Sequence, residues 1–329
     1  MARPIVQWLT GPSVRGGNGY GYAIAIDRTH EHLARHIDYA ADADIALSFC
    51  CPDVFKPAPG KHNILVSMFE SPDMPASCVN AIRSADACVV PSEFCRGIFQ
   101  ALTRVPVYVC QLGVEPVPFV ARGFPVGRPF RWLWLGAFNV RKGWATLAHA
   151  WDNYFRDRSD CELYIKTTKD GPPLARVGNA IYDSRNVTFA ELCEIYANAH
   201  AFVMPTLAEG FGQTIAEAQR SGLPCLIPHY SGHLEFADAR TSYFVPYKMM
   251  RLSPGRGAET TAPDEKYLFA VTDPHALART MEQVMKDYNN ALVVGRRAAR
   301  RVEKFTWEAS AAKLAAILQE ETQRIRRAA

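Results

Sequence analysis

Short apolar runs alternate with longer amphipathic segments along the first third of the chain. The apolar runs have the length of buried strands, and the segments between them carry apolar residues at helical spacing. Strands that alternate with helices are typical of a parallel sheet covered by helices on both faces. The pattern predicts strands at 5–9, 44–49, 63–68, 87–90 and 107–110, and helices at 20–35, 75–84 and 92–102.

A second series of the same kind follows a change in composition. The segment EPVPFVARGFPVGRP, at 115–129, contains four prolines and two glycines, which is typical of a linker between domains. The stretch 247–266 has no regular period and is predicted to be a long loop. Beyond the linker the pattern predicts strands at 131–135, 162–166, 187–189, 201–204, 224–227 and 243–245, and helices at 142–155, 191–197, 213–221, 274–301 and 307–324.

Two such series predict an α/β protein built from two doubly wound, Rossmann-like domains. Open parallel sheets bind ligands beyond the carboxyl ends of their strands. We therefore expect the two domains to face each other across a cleft, with a ligand held by one domain and a second substrate presented by the other. A length of 329 residues agrees with two domains rather than one.

The net charge of +4 is unevenly distributed. Residues 279–329 contain 11 Lys and Arg against 6 Asp and Glu, so this segment carries +5 and the remainder carries −1. The basic clusters in it are either solvated helix faces or contacts with an anionic membrane or nucleic acid. They are Arg296-Arg297, Arg300-Arg301 and Arg324-Arg326-Arg327.

The composition predicts a cytoplasmic protein, with peripheral contact at the inner membrane face as the alternative that the basic helices suggest. No apolar run approaches the ~20 residues that span a bilayer. The N-terminal segment MARPIVQWLTGP lacks the apolar core of a signal peptide. The nine cysteines include no C-x-x-C pair, so neither a zinc site nor a disulfide framework is predicted.

The segment EGFGQTIAEAQRSGLPCLIP, at 209–228, carries the most chemical information. A predicted buried strand precedes its Gly-Phe-Gly turn, and a predicted helix follows at once. The first amides of a helix attract anions, so a phosphate can lie over this turn. Glu209 and Glu217 then remain to hold hydroxyl groups on either side, as a nucleotide-sugar requires. Alternatively, both carboxylates only complement the helix dipole.

These segments together resemble the retaining glycosyltransferases of family 4, which have the GT-B fold. Each motif is weak alone, but their order and spacing are specific. The resemblance implies an acceptor-side domain at 1–117, a nucleotide-sugar-binding domain at 118–302, and a closing helix at 303–329 that crosses back toward the first domain. The motifs are the glycine loop at Gly16 and Gly17, PSEF at 91–94, QLGVE at 111–115, WLGAFNVRKGW at 134–144, EGFGQTIAE at 209–217 and FTWEASAAKL at 305–314.

The resemblance also implies roles for individual residues. In the E-x7-E motif of the family, Glu209 would contact hydroxyls of the transferred sugar, and Glu217 would contact the ribose. Lys142, with Arg141 beside it, would neutralise the departing diphosphate; the alternative is an exposed helix start. The other expected donor contacts are the amides of Gly212, Gln213 and Thr214 and the loop at Gly16 and Gly17.

Two positions depart from the family pattern. Many members have an arginine directly after the strand glycine, where this chain has Ala137 after Gly136. Arg141 is expected to take over that contact. Many members also have a histidine at the end of the fourth strand, where Glu70 stands here. Glu70 would orient the acceptor hydroxyl or the sugar, or transfer a proton, or else serve only as a turn partner for the helix from Pro75.

The resemblance predicts a retaining, metal-independent glycosyltransferase that takes its sugar from a nucleoside diphosphate sugar, a UDP- or GDP-sugar, and needs no cofactor. Two alternatives stand beside it: a GT-B nucleotide-sugar epimerase or phosphorylase-like enzyme, and a nucleotide-sugar-binding protein without catalysis. The acceptor classes left open are a glycan, a lipid-linked sugar, a protein, a small molecule and a nucleic-acid base. His229 and His233 are expected to be structural.

Overall fold

The computed structural model describes residues 3–9, 20–167, 174–253 and 266–328. The predicted glycine loop at Gly16 and Gly17 lies outside these ranges. Contacts divide the chain into two compact units, the first formed by Met1–Glu115 with Phe305–Ala329 and the second by Pro116–Lys304. In the described ranges, no helix combines the length and the apolar character needed to cross a membrane.

Strands and helices alternate in both units. The strands of the first unit are β1 (Ile5–Trp8), β2 (Asp38–Tyr39), β3 (Ile45–Phe49), β4 (His62–Val66), β5 (Ala87–Val90) and β6 (Val107–Val109). Those of the second are β7 (Phe130–Leu135), β8 (Cys161–Lys166), β9 (Leu174–Val177), β10 (Ala180–Asp183), β11 (Ala201–Val203), β12 (Cys225–Pro228), β13 (Tyr243–Val245), β14 (Tyr247–Leu252) and β15 (Tyr267–Thr272). The helices are α1 (Tyr20–Leu33), α2 (Ala76–Arg83), α3 (Glu93–Leu102), α4 (Trp144–Tyr154), α5 (Phe189–Asn198), α6 (Gln213–Arg220), α7 (Pro274–Lys286), α8 (Tyr288–Val302) and α9 (Trp307–Ala328).

The first unit is a parallel sheet in the order β2-β1-β3-β4-β5-β6. Strands β3 and β5 are buried along their whole length, as expected for apolar strands covered on both faces. The last helix, α9, completes this unit by packing against α1. Its first residue, Trp307, donates a hydrogen bond of 2.9 Å from the indole to Glu115. A Cβ at Gly113 would lie 2.4 Å from Trp307 Cα, so only glycine permits this contact.

The second unit contains a sheet in the order β13-β12-β11-β7-β8-β10-β9, parallel except for the edge strand β9. Its core contains the completely buried indoles of Trp132 and Trp134 on β7. Helices α4 and α7 pack on this core and on each other. Strands β14 and β15 form a separate antiparallel pair.

The structure corrects three predictions in the second unit. The strand predicted at 187–189 is wrong, because Thr188 and Glu191 form a capping box that begins α5. The loop predicted at 247–266 contains strand β14, and residues 254–265 lie outside the described ranges. The helix predicted at 274–301 is two helices, since the Asp287 side chain caps the start of α8.

The arginine clusters of the C-terminal region are divided between the units. Arg296, Arg297 and Arg300 on α8 are exposed, whereas Arg301 pairs with Asp238 at 2.7 Å. On α9, the arginines at 324, 326 and 327 are exposed. An exposed face agrees equally with solvation and with an anionic partner.

Candidate active site

The strand order of the second sheet marks a place where a ligand is expected. From β7 the chain runs outward through β8 to β10, and it then returns to the other side of β7 with β11 and β12. The loops after β7 and β11 therefore diverge at a topological switch point, where open parallel sheets bind ligands. These two loops carry Lys142 and Glu209.

A capped turn and an obligatory glycine position Lys142. The Asn139 side chain accepts a hydrogen bond of 3.0 Å from the Lys142 amide and caps a short 3-10 turn at Val140–Lys142. Gly143 follows with φ of 69°, and a Cβ there would lie 1.9 Å from the carbonyl oxygen of Pro205. Only glycine satisfies both conditions, so the turn lies directly against the loop after β11.

Hydrogen bonds join the two loops. The Leu207 amide donates to the Arg141 carbonyl at 2.7 Å. The hydroxyl of Thr206, a completely buried residue, lies 2.9 Å from the same oxygen. The Arg141 side chain returns the contact by donating to the Ala208 carbonyl at 3.1 Å. The turn that carries the two cations is therefore tied to the segment that leads to Glu209.

Glu209 lies at the centre of this cluster and is 5% exposed. Its Oε1 accepts from Lys142 Nζ at 2.8 Å and lies 2.9 Å from Thr206 Oγ1. Its Oε2 accepts from Lys142 Nζ at 3.0 Å and from Arg141 Nη1 at 3.3 Å. The structure thus brings together three residues that the sequence predicted as one site, and adds Thr206 to them.

The cations of Lys142 and Arg141 keep the Glu209 carboxyl group ionised. Burial alone would raise the pKa of this carboxyl group, because the charged form loses its hydration. The nearby charges of Lys142 and Arg141, together with hydrogen bonds from Lys142 and Thr206, outweigh burial and lower the pKa to about 2. Glu209 is therefore ionised at neutral pH.

A strained loop at Ser231 and Gly232 holds the main chain of Glu209. The Glu209 amide donates to Ser231 Oγ at 2.9 Å, and its carbonyl accepts from the Gly232 amide at 2.8 Å. Ser231 has φ of 82°, a conformation that costs a non-glycine residue free energy and is often found at functional sites. A Cβ at Gly232 would lie 2.0 Å from the Gly210 carbonyl oxygen. The main chain of Glu209 is therefore held at two points.

Helix α6 begins where the sequence predicted a phosphate contact. Gly212 precedes the helix with φ of 95°, and Gln213 and Thr214 are its first two residues. A glycine has no side chain with which to cap the first amides, and the helix dipole adds positive potential at this end. The start of α6 therefore carries positive potential, and the phosphate contact there stays a prediction.

Glu217 lies on the second turn of α6 and has a buried partner on α5. The Tyr196 hydroxyl donates to Glu217 Oε2 at 2.8 Å. Burial, reinforced by the charge of Glu217, raises the pKa of Tyr196, so the phenol stays protonated and keeps this donor role. The contact orients the carboxylate that the resemblance assigns to the ribose.

The structure gives His233 a structural contact. Its ring is completely buried, and Nε2 donates to the Pro228 carbonyl at 2.8 Å. Burial lowers the pKa of His233, which keeps the ring neutral. Nδ1, then the unprotonated nitrogen, has no hydrogen-bond partner among the described residues.

Glu70 belongs to the first unit, where it follows β4 and is half-buried. The neighbouring main chain at Met68 is fixed by the Tyr22 hydroxyl, which lies 3.0 Å from both the Met68 amide and its carbonyl oxygen. Burial, with further contributions from Cys51 and Glu70, raises the pKa of Tyr22. The expected role of Glu70 stays a prediction.

Sequence reasoning missed three residues of the site: Thr206, Tyr196 and Ser231. Thr206 follows a buried strand within Pro-Thr, and a polar residue at a strand end was an available signal. Tyr196 carried no signal, because its pairing with Glu217 depends on how α5 and α6 pack. The resemblance places the loop at Ser231 and Gly232 close to the donor, but serine by itself does not indicate a positive φ.

Solved structures share this fold over most of the chain. A sucrose-phosphate synthase from Thermosynechococcus elongatus superposes with a TM-score of 0.65 at 15% identity, over 95% of this chain and 82% of its own. WaaG, a glycosyltransferase involved in lipopolysaccharide biosynthesis, gives 0.63 at 14% identity, over 95% and 99%. The pneumococcal O-GlcNAc transferase GtfA, in complex with UDP and GlcNAc, gives 0.57 at 14%, over 84% and 56%. At these identities the likeness shows the fold alone.

Sequence comparison adds the family. The chain matches no curated protein. A family model described as "Family 4 Glycosyltransferase in conflict systems" matches residues 100–314, which is more than half of the 329 residues and includes the loops after β7 and β11. The chain therefore belongs to this family of glycosyltransferases and has the GT-B fold that its sequence predicted.

Proposed function

We propose that this glycosyltransferase moves a sugar from a nucleoside diphosphate sugar to an acceptor hydroxyl with retention at the anomeric carbon. The observation that carries the proposal is the meeting of Lys142, Arg141 and Glu209 beside the start of α6. Two cations and a helix start suit a diphosphate, and an ionised carboxylate suits sugar hydroxyls. A UDP- or GDP-sugar would supply both groups.

The proposed reaction places the negative charge that develops on the leaving diphosphate near the two cations. The bond between the anomeric carbon and the diphosphate oxygen breaks, the acceptor oxygen forms its bond on the same face, and the proton of the acceptor hydroxyl passes to the departing diphosphate. Lys142 and Arg141, with the amides at Gly212, Gln213 and Thr214, would stabilise the departing diphosphate. Glu209 would position the sugar ring, and Glu217 would hold the ribose.

We expect this stabilisation to come from protein groups without a metal ion or a cofactor. Transfer should then continue in the presence of a chelator such as EDTA. Loss of transfer with EDTA and recovery with Mg²⁺ or Mn²⁺ would contradict this part of the proposal. Glu70 is proposed to serve the acceptor side, and the loop at Gly16 and Gly17 to approach the donor phosphates and the acceptor. The acceptor remains one of the classes predicted from the sequence: a glycan, a lipid-linked sugar, a protein, a small molecule or a nucleic-acid base.

The first experiment identifies the donor and the reaction. UDP- and GDP-sugars are screened for a rise in the thermal unfolding midpoint, since a ligand that binds only the folded protein stabilises it. Donors that bind are then tested for transfer with acceptor pools, and the anomeric configuration of the product is read by NMR. Release of an epimerised sugar or of a sugar phosphate, instead of transfer, would contradict the proposal.

Lys142→Met tests the site. Because single preorganised charges contribute a few kcal/mol to such transition states, turnover should fall by about a hundredfold or more. Lys286→Met, which removes a lysine that is 78% exposed, is the matched control and should leave turnover unchanged. Near wild-type turnover in Lys142→Met would show that the donor site has been assigned wrongly.

A further inference from the structure

The carboxylate of Glu209 has its acceptor capacity filled. A carboxylate offers about four lone-pair sites. Lys142 contacts both oxygens, Thr206 lies against Oε1, and Arg141 donates to Oε2. A sugar hydroxyl that is to donate to Glu209 must therefore replace one of these donors.

Lys142 is the donor that is able to leave. Within the described part of the chain, its ammonium group donates hydrogen bonds to Glu209 alone. Arg141 is held by the Ala208 carbonyl as well, and Thr206 is completely buried on the segment that leads to Glu209. The main chain of Glu209 is fixed by Ser231 and Gly232, so the flexible side chain of Lys142 provides the movement.

We propose that Lys142 is exchanged between two anions, Glu209 in the empty site and the diphosphate in the loaded site. This inference rests on the proposed function. When the diphosphate arrives, it takes the ammonium group, and Glu209 keeps Arg141 and Thr206 while its freed lone pairs accept sugar hydroxyls. The diphosphate thereby frees Glu209 to bind the sugar, and the sugar hydroxyls replace Lys142 at Glu209.

The exchange distinguishes donor from product. A nucleoside diphosphate that carries its sugar replaces the contacts that Glu209 gives up. A nucleoside diphosphate without a sugar withdraws Lys142 and leaves Glu209 short of partners, which is costly for a buried carboxylate. Glu209 therefore competes with the product for Lys142 and weakens the hold on the product after transfer.

Glu209→Gln provides the test, with dissociation constants measured by calorimetry for UDP, GDP and those of their sugars that stabilise the wild type. A neutral amide no longer competes for the ammonium group. The affinity for the nucleoside diphosphate should rise by about fivefold or more, while the gain in affinity that the attached sugar provides should shrink. Glu209→Asp, which keeps the charge on a shorter side chain, should give intermediate values and serves if Glu209→Gln folds poorly.

A double-mutant cycle separates exchange from simple repulsion between Glu209 and the diphosphate. In a Lys142→Met background, Glu209→Gln should no longer tighten nucleoside diphosphate binding if it acts by releasing the lysine. An equal gain in both backgrounds would overturn the exchange, as would an unchanged or weaker affinity of Glu209→Gln for the nucleoside diphosphate.

Measurements on the wild type distinguish failure of the exchange from failure of the proposed function. Wild-type protein that binds the nucleotides and transfers sugar, with no gain in Glu209→Gln, would contradict the exchange alone. Wild-type protein that binds none of the nucleotides would overturn both proposals.

Discussion

Glu209 combines almost complete burial with a negative charge. Two cations, Lys142 and Arg141, stabilise that charge. Its pKa, about 2, lies below the ordinary value of ~4.3 for glutamate, despite burial. A group whose folded-state pKa is depressed contributes stability that is present above its unfolded pKa and is lost as the pH falls toward the folded one. The contribution of Glu209 should therefore disappear between about pH 5 and pH 2.

We expect the difference in the free energy of unfolding between wild type and Glu209→Gln to be largest above pH 5 and to shrink as the pH falls toward 2. Denaturant unfolding at several pH values measures it. Glu303→Gln, a change at an exposed position at the end of α8, is the matched control and should follow the wild type. A difference that stays constant over this range would show that Glu209 is not held by its cations.

Single residues also show how much of the site could be predicted from the sequence. Glu209, Glu217 and Lys142 were found because the resemblance attaches each to a motif of fixed spacing. The pairing of Lys142 with Glu209 was not found, since the motifs are 67 residues apart in the chain and no spacing rule predicts a contact of 2.8 Å. Thr206 and Ser231 act through burial and backbone conformation, which residue type alone does not reveal.

Among the secondary-structure elements, α5 and α6 depend on one partly buried cation, Arg122. Arg122 donates to the carbonyls of Tyr196 and Ala199 at the end of α5. It also donates to the Ser221 carbonyl at the end of α6. Burial lowers the pKa of Arg122 to about 10, which leaves the guanidinium charged at neutral pH. A cation at helix C-termini stabilises both helix dipoles and satisfies their last carbonyls.

Arg122→Leu should lower the free energy of unfolding by about 3 kcal/mol or more, because several buried carbonyls lose a charged donor at once. It should also weaken nucleotide binding, since α5 supplies Tyr196 to Glu217. Urea unfolding and calorimetry measure the two effects. Arg296→Leu removes an exposed arginine of α8 and should change neither quantity by much. Equal stability of the two variants would contradict the role of Arg122.

The elements of the parallel sheets were largely predictable from their apolar runs, and the errors have local causes. Strand β9 was missed because it is an exposed edge strand with no buried run, whereas β10 is mostly buried but only four residues long. The strand predicted at 187–189 overlooked the capping signal in Thr188 and Glu191. The helix predicted at 274–301 continued through Asp287, although aspartate favours the start of a helix.

At the scale of the whole molecule, the two units differ in the number of chain segments that form them. The second unit, Pro116–Lys304, is one continuous segment with its own core around Trp132 and Trp134. The first unit needs two segments that are far apart in the sequence. The fold class was predictable because alternating strands and helices leave few arrangements, whereas the positions of the loops that carry the site required the structure.

The continuous segment should fold alone. We expect residues 116–304 expressed as a fragment to unfold cooperatively and to bind the same nucleoside diphosphate as the full chain, because Lys142, Arg141, Glu209 and Glu217 all lie within it. Residues 1–115 alone should lack a cooperative transition, since α9 is missing. Circular dichroism during thermal unfolding and calorimetry measure both expectations. A fragment 116–304 that folds but binds no nucleotide would show that the donor site needs the first unit.

The contact of Trp307 with Glu115 and Gly113 has a consequence for synthesis of the chain. Residues 1–115 leave the ribosome early, yet the segment that closes their unit, Phe305–Ala329, is made only after the whole of Pro116–Lys304. Until then, the surface that receives Trp307, Leu314 and Leu318 lacks its cover, and such apolar surface exposes a nascent chain to aggregation. Premature termination before Phe305 would thus leave the first unit without its closing helix, although every residue of Met1–Glu115 had been translated.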